Sequence, residues 1–254
     1  MEPRVIAIAN QKGGVGKTTT AVNLGHGLAL RGHDVLLVDL DAQGNLAAAL
    51  GVKKFEAALY EVLVERVPPQ EVIIPAREIP GRGRLDFLPS DWRTARAKEI
   101  LAGETFREMI LSQAMRDVVD YSFVLLDCAP SLDILNIMAL LYAREVLLPV
   151  GCRTLDLVGV QQYLSTMRDV REKARHDVRL LAILPTFYDP RTRIAHEVLA
   201  ALEEAFPQSV AHPIRLNVRL AEAAGHGQSI FEYDPRSFGA IDYARLVEWV
   251  NGGR

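Results

Sequence analysis

The chain has 254 residues, of which 24% are charged, and its formal net charge at pH 7 is -3. The length indicates a globular protein with a large core, and the charge excludes a general attraction of the whole molecule to nucleic acid. The two cysteines, Cys128 and Cys152, are too few for a disulfide framework or a zinc site, so we expect buried thiols. No signal peptide or membrane span is evident, which favours a cytoplasmic protein.

Short apolar runs alternate with helical periodicity along the chain. This pattern predicts a three-layer α/β fold, with a mostly parallel central sheet flanked by helices on both faces. The predicted strands lie at 5–9, 35–39, 85–89, 123–127, 146–150 and 180–185. The predicted helices lie at 19–31, 56–65, 92–118, 131–143, 156–175, 194–205 and 236–250, with Gly32 as a stop signal after the first. Within 66–84, whose pattern is the least regular, the segments Pro68-Pro69 and Pro80-Gly81-Arg82-Gly83-Arg84 predict loops. We expect a single domain over 1–254.

The first predicted strand leads into a glycine loop that precedes a helix. Its sequence is Lys12-Gly13-Gly14-Val15-Gly16-Lys17-Thr18-Thr19. The second half ends like a P-loop, in which backbone N–H groups hold phosphates, a lysine reaches the β- and γ-phosphates and a hydroxyl binds Mg²⁺. Gln11 stands where the ordinary P-loop has its first glycine. A glycine turn that binds nothing is the alternative, but two lysines and two threonines in this register argue against it.

The second predicted strand ends in two acidic residues, Asp39 and Asp41. Ligands of open α/β sheets gather at the carboxyl ends of the strands. In an extended segment the two carboxylates face the same side, where they can order Mg²⁺ or orient an attacking water beside a triphosphate. A solvated acidic turn is the alternative.

The fourth predicted strand carries Asp127 to the same edge of the sheet, and Cys128-Ala129-Pro130-Ser131-Leu132 follows it. An aspartate at this point binds Mg²⁺ through water or anchors Thr18. Cys128 is not expected to be a catalytic thiol, because no histidine lies in a recognisable partner motif.

These three segments resemble the deviant P-loop ATPases with a KGGxxK[ST] loop, and within them the ParA/Soj partition ATPases and MinD, over nearly the whole chain. The resemblance implies ATP and Mg²⁺ as cofactors, with Lys17 binding phosphate in cis. Lys12 would reach the partner subunit's nucleotide in an ATP-dependent homodimer. Asp41 would activate water, and Thr18, Asp39 and Asp127 would support the metal. Two prolines of the family motifs are missing, since this chain has Ala42 and Ala129 in their places.

Two C-terminal segments, 185–192 and 217–223, also resemble paired ParA/Soj motifs. The resemblance implies that Asn217 and Val218 border the adenine and that Arg191 and Arg219 contact double-stranded DNA without sequence preference. A solvated surface is the alternative for each arginine.

Two departures from the family pattern lie in the C-terminal half. Arg215-Leu216 replaces the family's Pro-Arg, and Gly151-Cys152-Arg153 replaces a stretch that is commonly Gln-x-Glu. Arg153 would either extend a DNA-facing patch or change the surface offered to a partner. The sequence leaves both open.

The resemblance implies a nucleoid-associated ATPase that segregates a chromosome or plasmid and is stimulated by a ParB/Spo0J-like centromere-binding protein. The sequence begins at its first strand, so we expect no N-terminal helix-turn-helix extension.

One alternative is a MinD-like membrane ATPase. The apolar residues of 246–250 precede the weakly basic tail 251–254, so no stable membrane association is expected. A ParA-like ATPase that positions a protein cargo is a second alternative. A nitrogenase-reductase-like iron protein is disfavoured. It would need cysteines that bridge an iron–sulfur cluster across the dimer, and only Cys128 lies near a loop that can sense the γ-phosphate.

Overall fold

The computed structural model describes residues 2–154 and 157–252. Their strands form one seven-stranded sheet. The strands are β1 (Arg4–Ile8), β2 (Val35–Asp39), β3 (Ile74–Glu78), β4 (Arg84–Leu88), β5 (Phe123–Asp127), β6 (Glu145–Gly151) and β7 (Arg179–Thr186). Their order across the sheet is β3-β4-β2-β5-β1-β6-β7. Each neighbouring pair runs parallel apart from β3 and β4.

Helices connect most of these strands and follow the last one. They are α1 (Lys17–Leu30), α2 (Asn45–Ala49), α3 (Leu59–Leu63), α4 (Pro69–Val72), α5 (Arg93–Leu101), α6 (Ile110–Ala114), α7 (Ile134–Tyr142), α8 (Leu157–Ala174), α9 (Arg193–Ala205), α10 (Val218–Gly225), α11 (Ile230–Tyr233) and α12 (Phe238–Val250). Single 3-10 turns lie at Arg107–Met109 and Met115–Asp117.

The core consists of two hydrophobic clusters, one on each face of the sheet. Successive β1 side chains enter opposite clusters, since Val5 and Ala7 belong to one while Ile6 and Ile8 belong to the other. Side chains of α7, α8 and α9 cover the first face, and those of α1 and α12 cover the second. The three-layer α/β prediction is therefore confirmed, and strands buried on both faces account for the continuous apolar runs in the sequence.

All six predicted strands are present, and each of their ends lies within one residue of the prediction. Of the two loops predicted within 66–84, the one at 80–84 is confirmed apart from Arg84, which begins β4, whereas Pro69 already begins α4. β3, which was not predicted, also lies in this region. β3 is an antiparallel edge strand whose register shifts between Pro75 and Arg77. Proline and charged residues are tolerated at such an edge, where one side of the strand has no neighbour.

The helix predicted at 92–118 is also wrong, because it divides into α5, α6 and the two 3-10 turns. The break lies near Gly103 and includes Phe106, whose φ of 57° is left-handed. The helix predicted at 156–175 begins at Asp156, outside the described residues, and is described from Leu157 onward.

Cys128 and Cys152 are both free and buried, as predicted. Burial raises the pKa of the Cys152 thiol to about 11. At neutral pH that thiol is protonated and therefore weakly nucleophilic. Within 2–154 and 157–252, no helix combines the length and apolar character needed to cross a membrane.

Candidate nucleotide site

The glycine loop joins β1 to α1 at the carboxyl edge of the sheet. Gly14 and Gly16 have φ of 69° and 88°, which glycine adopts without a steric penalty. Gly16 precedes the first residue of α1, Lys17, so the loop places helix N–H groups and the positive end of the helix dipole at its centre. The Nζ of Lys17 donates to the backbone oxygen of Lys12 at 3.1 Å, across the loop.

Two buried side chains hold the loop, and sequence reasoning missed both. Asn10 accepts from the backbone N–H of Lys12 at 2.9 Å and donates to the backbone oxygen of Pro149 at 2.7 Å. The hydroxyl of Thr186, at the end of β7, donates to the backbone oxygen of Val15 at 2.8 Å. These contacts tie the loop to the ends of β6 and β7, which lie far away in sequence. A lone asparagine or threonine gives no signal of such a role.

Asp39 and Asp127 end the adjacent strands β2 and β5 and are paired in the sheet register. Both are almost completely buried. Burial, and next the charge of Asp127, raise the pKa of Asp39 well above its usual range. Burial raises the pKa of Asp127 to about 7, against the opposing effects of Thr18 and Lys17. The raised pKa values of both carboxylates show that Lys17 and Thr18 do not fully offset the cost of burying them as anions.

The same two carboxylates fit a hard cation. Oδ2 of Asp39 and both carboxylate oxygens of Asp127 are buried without a hydrogen-bond partner among the described residues, and the Thr18 hydroxyl lies near Asp127. Carboxylate and hydroxyl oxygens are the ligands that Mg²⁺ prefers. Lys17 lies close by, and burial lowers the pKa of its ammonium while the charge of Asp127 raises it.

Replacing Asp127 with asparagine should stabilise the protein in EDTA and remove its response to Mg-ATP. At pH 8 the substitution removes a buried charge at nearly constant volume, so we expect the free energy of unfolding to rise by about 1–3 kcal/mol. Thermal unfolding with EDTA and with Mg-ATP measures both effects. Asp86→Asn, at a half-buried aspartate of β4, is the matched control. Unchanged stabilisation of Asp127→Asn by Mg-ATP would contradict a metal role for this carboxylate.

Asp41 lies outside the strand, so the extended geometry suggested by the sequence ends at Asp39. The backbone N–H of Asp41 donates to Oδ1 of Asp39 at 2.9 Å, and Oδ1 of Asp41 accepts from the N–H of Gln43 at 3.0 Å. This Asx-type turn leads to Gly44, whose φ is 63°. Asp41 remains close enough to act electrostatically on Asp39, Asp127 and Lys17.

The two lysines of the loop differ in environment. Lys17 is buried, whereas Lys12 is exposed and its Nζ donates to the Thr154 hydroxyl at 2.7 Å. Lys17 therefore contacts the inside of the loop, while Lys12 lies along the outer surface after β6.

A cleft of about 400 Å³ opens beside Gly16 and Thr19. Its remaining lining residues come mainly from the ends of β6 and β7 and from the segment before α10: Arg153, Thr186, Phe187, Ile214, Arg215, Leu216, Asn217, Val218, Leu220, Ala221 and Tyr243. The structure thus brings Asn217 and Val218 next to the glycine loop. A mostly apolar cleft next to a phosphate-binding loop can hold a nucleotide base.

Phe187 shapes one wall of this cleft. Its backbone is left-handed, with a φ of 53°, although its side chain is bulky. Its ring lies 3.9 Å from the position that a Cβ at Gly16 would occupy, and the guanidinium carbon of Arg153 lies 4.5 Å from the ring centroid. Arg153 therefore contributes a cation–π contact to the cleft wall.

Arg215, at one of the departures from the family pattern, has a structural partner. Its guanidinium donates to both carboxylate oxygens of Asp242 on α12, at 2.6 and 2.9 Å, and its Cζ lies 4.2 Å from the centroid of the Phe238 ring. Asp242 is fully buried, so the pair joins the wall of the cleft to α12.

Arg191 and Arg219 are both exposed and both form ion pairs with nearby carboxylates. Arg191 makes a two-pronged contact with Asp189 at 2.9 and 2.8 Å, and Arg219 pairs with Glu222 at 2.8 Å. Exposed pairs of this kind contribute little stability, so a competing phosphate can displace the carboxylate.

Comparisons of the sequence with known proteins give matches over most of the chain. A family model described as an AAA domain matches residues 3–180. The sporulation initiation inhibitor protein Soj of Bacillus subtilis is 40% identical over 251 residues, which cover 97% of this chain and 98% of Soj. The chromosome partitioning protein ParA of Caulobacter vibrioides is 36% identical over 257 residues, which cover 97% and 93%.

Solved structures of similar proteins share the fold. One, described as cobyrinic acid a,c-diamide synthase of Mycobacterium smegmatis with bound ATP analogue and magnesium, has a TM-score of 0.83 and 34% identity, covering 99% of this chain and 97% of that chain. MinD of Pyrococcus horikoshii, complexed with Mg-ADP, has a TM-score of 0.80 at 24% identity, covering 98% and 96%. At that identity the likeness to MinD concerns the fold alone.

Proposed function

Because the chain belongs to the ParA/Soj family of P-loop ATPases, we propose that it hydrolyses Mg-ATP, dimerises on ATP and binds DNA without sequence preference. The arrangement that carries this proposal is Lys17 at the centre of the glycine loop, beside the buried Asp39–Asp127 pair and the 400 Å³ cleft. The ATP analogue and magnesium in the M. smegmatis structure support the choice of ligands.

Different residues of the nucleotide site would bind the phosphates, the adenine, the metal and the attacking water. The loop N–H groups and Lys17 would hold the phosphates, and Asn217 and Val218 would border the adenine in the cleft. Thr18, Asp39 and Asp127 would hold magnesium, which when bound offsets negative charge on the phosphate oxygens. Asp41 would orient the water that attacks the γ-phosphorus as the bond to the β-phosphate oxygen breaks.

The proposed dimer joins two copies through this edge of the sheet. Lys12 would donate to the partner subunit's nucleotide and offset the charge that develops in the transition state. Several large apolar side chains at the beginnings of helices or in loops of this edge are exposed: Trp92, Leu132, Val158, Leu216, Val218 and Phe238. Exposed apolar residues gathered on one face favour burial against another molecule.

DNA binding would use Arg191 and Arg219, four guanidinium groups in a dimer. If each neutralises one phosphate, log affinity falls with log salt at a slope of about -3.6, a loss on the order of 100-fold between 50 and 200 mM. Arg191→Ala, which removes two of the four guanidinium groups from the dimer, should make the slope less steep, at about -1.8. ATP-dependent retention on unrelated duplex DNA, measured across salt concentrations, tests this expectation.

The matched control is Arg66→Ala, since Arg66 is, like Arg191, an exposed arginine paired with one carboxylate, here that of Glu104. Its salt slope should equal that of the unmodified protein. Equal retention with ADP and ATP, or none with ATP at low salt, would overturn the DNA part of the proposal.

Stimulation of ATP turnover distinguishes the candidate assembly surfaces. A partition ATPase should be fastest when DNA and a ParB/Spo0J-like partner are both present, which would place it on the nucleoid. Stimulation by liposomes would instead favour a membrane-associated ATPase. DNA-dependent turnover without a response to a centromere-binding partner would favour a protein cargo.

A further inference from the structure

The end of the sheet opposite to the nucleotide site carries a concave surface, which we call the basal groove. It consists of two cavities of about 290 and 570 Å³ that share His176. The smaller cavity lies where β1 and β6 begin, and the larger lies at the end of α8. Since a strand rises about 3.3 Å per residue, β1 alone separates this groove from the glycine loop by about 15 Å.

The basal groove is basic although the chain as a whole is acidic. Its lining includes Arg116, Arg144, Arg168, Arg171 and Arg175, against three carboxylates. In the described part of the chain, four of these arginines have no ion pair within 4.0 Å, and Arg171 has only a 3.8 Å contact with Asp177. Such guanidinium groups can pair with an external anion without first losing an internal partner.

The floor of the smaller cavity is apolar. The side chains of Val5, Met115 and Leu141 are buried there, while Val119 is half exposed at the rim. The hydroxyl of Tyr142, which also lines this cavity, is buried and makes no hydrogen bond with any described residue. A buried hydroxyl without a partner usually has a water or a ligand as its missing neighbour.

We infer that the basal groove binds a partner's peptide segment in which acidic and apolar side chains alternate. Carboxylates of the peptide would pair with Arg116 and Arg144, and an apolar side chain would cover the floor beside Val119. Charge complementarity selects an acidic occupant. The apolar floor favours a peptide with apolar side chains over the phosphate backbone of a duplex.

The groove lies away from the glycine loop, so peptide binding should be independent of nucleotide. A segment bound there can remain attached while the protein binds and hydrolyses ATP. The affinity for the peptide should therefore agree within about 2-fold in the absence of nucleotide, with ADP and with ATP. Failure of the proposed ATPase function would leave this inference intact.

Fluorescence anisotropy with a short labelled peptide tests the inference. The probe alternates aspartate and glutamate with leucine and phenylalanine, and a second peptide replaces the apolar residues with serine. We expect Arg116→Glu/Arg144→Glu and, separately, Val119→Asp to weaken binding of the first peptide by about 10-fold or more. Arg96→Glu, at an exposed arginine of α5, should change it by less than about 2-fold.

Circular dichroism and thermal unfolding of each variant should match those of the unmodified protein, which shows that the fold is intact, and ATP turnover should also be unchanged. Amide NMR shifts on addition of the peptide should cluster at Ser112, Val119, Arg144 and His176. Equal binding of the serine peptide would overturn the role of the apolar floor. Equal affinity of the double variant, or displacement of the peptide by duplex DNA at equal charge concentration, would overturn the inference.

Discussion

Alanine in place of Lys12 should lower ATP turnover by about 10³-fold and abolish the ATP-dependent dimer, while ATP affinity changes by less than about 3-fold. The reason is the contrast between the two lysines of the loop. Lys17 is buried and spans the loop, whereas Lys12 is exposed and contacts Thr154 on the outer surface. A cation in that position suits a second subunit's phosphates better than those of its own loop.

Sizing with and without ATP, together with phosphate release, measures the two effects of Lys12→Ala. Lys53→Ala removes an exposed lysine outside the site and should behave like the unmodified protein. Lys17→Ala should instead lose nucleotide binding itself. A Lys12→Ala protein that still dimerises on ATP and hydrolyses it at the full rate would refute the role of Lys12 across the interface.

The sheet could be predicted from the sequence because its strands are buried on both faces. Strands such as 123–127 consist of apolar residues throughout and end in an aspartate, so both their positions and their shared edge are visible. β3 was not predicted, because this edge strand contains Pro75 and Arg77 and shows neither a continuous apolar run nor a strict alternation of apolar and polar residues. Its pairing with β4 depends on contacts between the two strands, which the local sequence of β3 does not reveal.

The nucleotide site was predictable where backbone geometry demands particular residues. Gly14 and Gly16 are left-handed, and that requirement appears directly in the sequence. The supports from Asn10 and Thr186 were not predictable, because each joins the loop to a strand end more than a hundred residues away. The same holds for Arg215, whose pairing with Asp242 depends on the packing of α12.

The two missing prolines have different surroundings. Ala42 lies in the turn that Asp41 and Gln43 close by a hydrogen bond, so this turn keeps a local constraint without the proline ring. Ala129 is buried, and its backbone oxygen accepts from the amide of Asn136 at 3.2 Å. Both departures thus leave the backbone held by hydrogen bonds, and neither removes a group that the proposed chemistry uses.

Replacing Asp41 with alanine should lower ATP hydrolysis by about 10²- to 10⁴-fold and leave ATP binding and the ATP-dependent dimer in place. Asp41 lies beside Asp39, Asp127 and Lys17 and is the only one of these three aspartates that is partly exposed to solvent. It is therefore the carboxylate that an attacking water can reach. Single-turnover hydrolysis and sizing with ATP separate the chemical step from assembly.

Asp41→Asn is the matched variant, because an amide oxygen can still accept from the N–H of Gln43 while the amide cannot take a proton from water. If Asp41 acts on the water, both variants should be equally slow. If its role is only to close the turn, the asparagine variant should regain most of the activity that alanine loses. A fully active asparagine variant would therefore assign Asp41 to loop structure and leave the activation of water to another group.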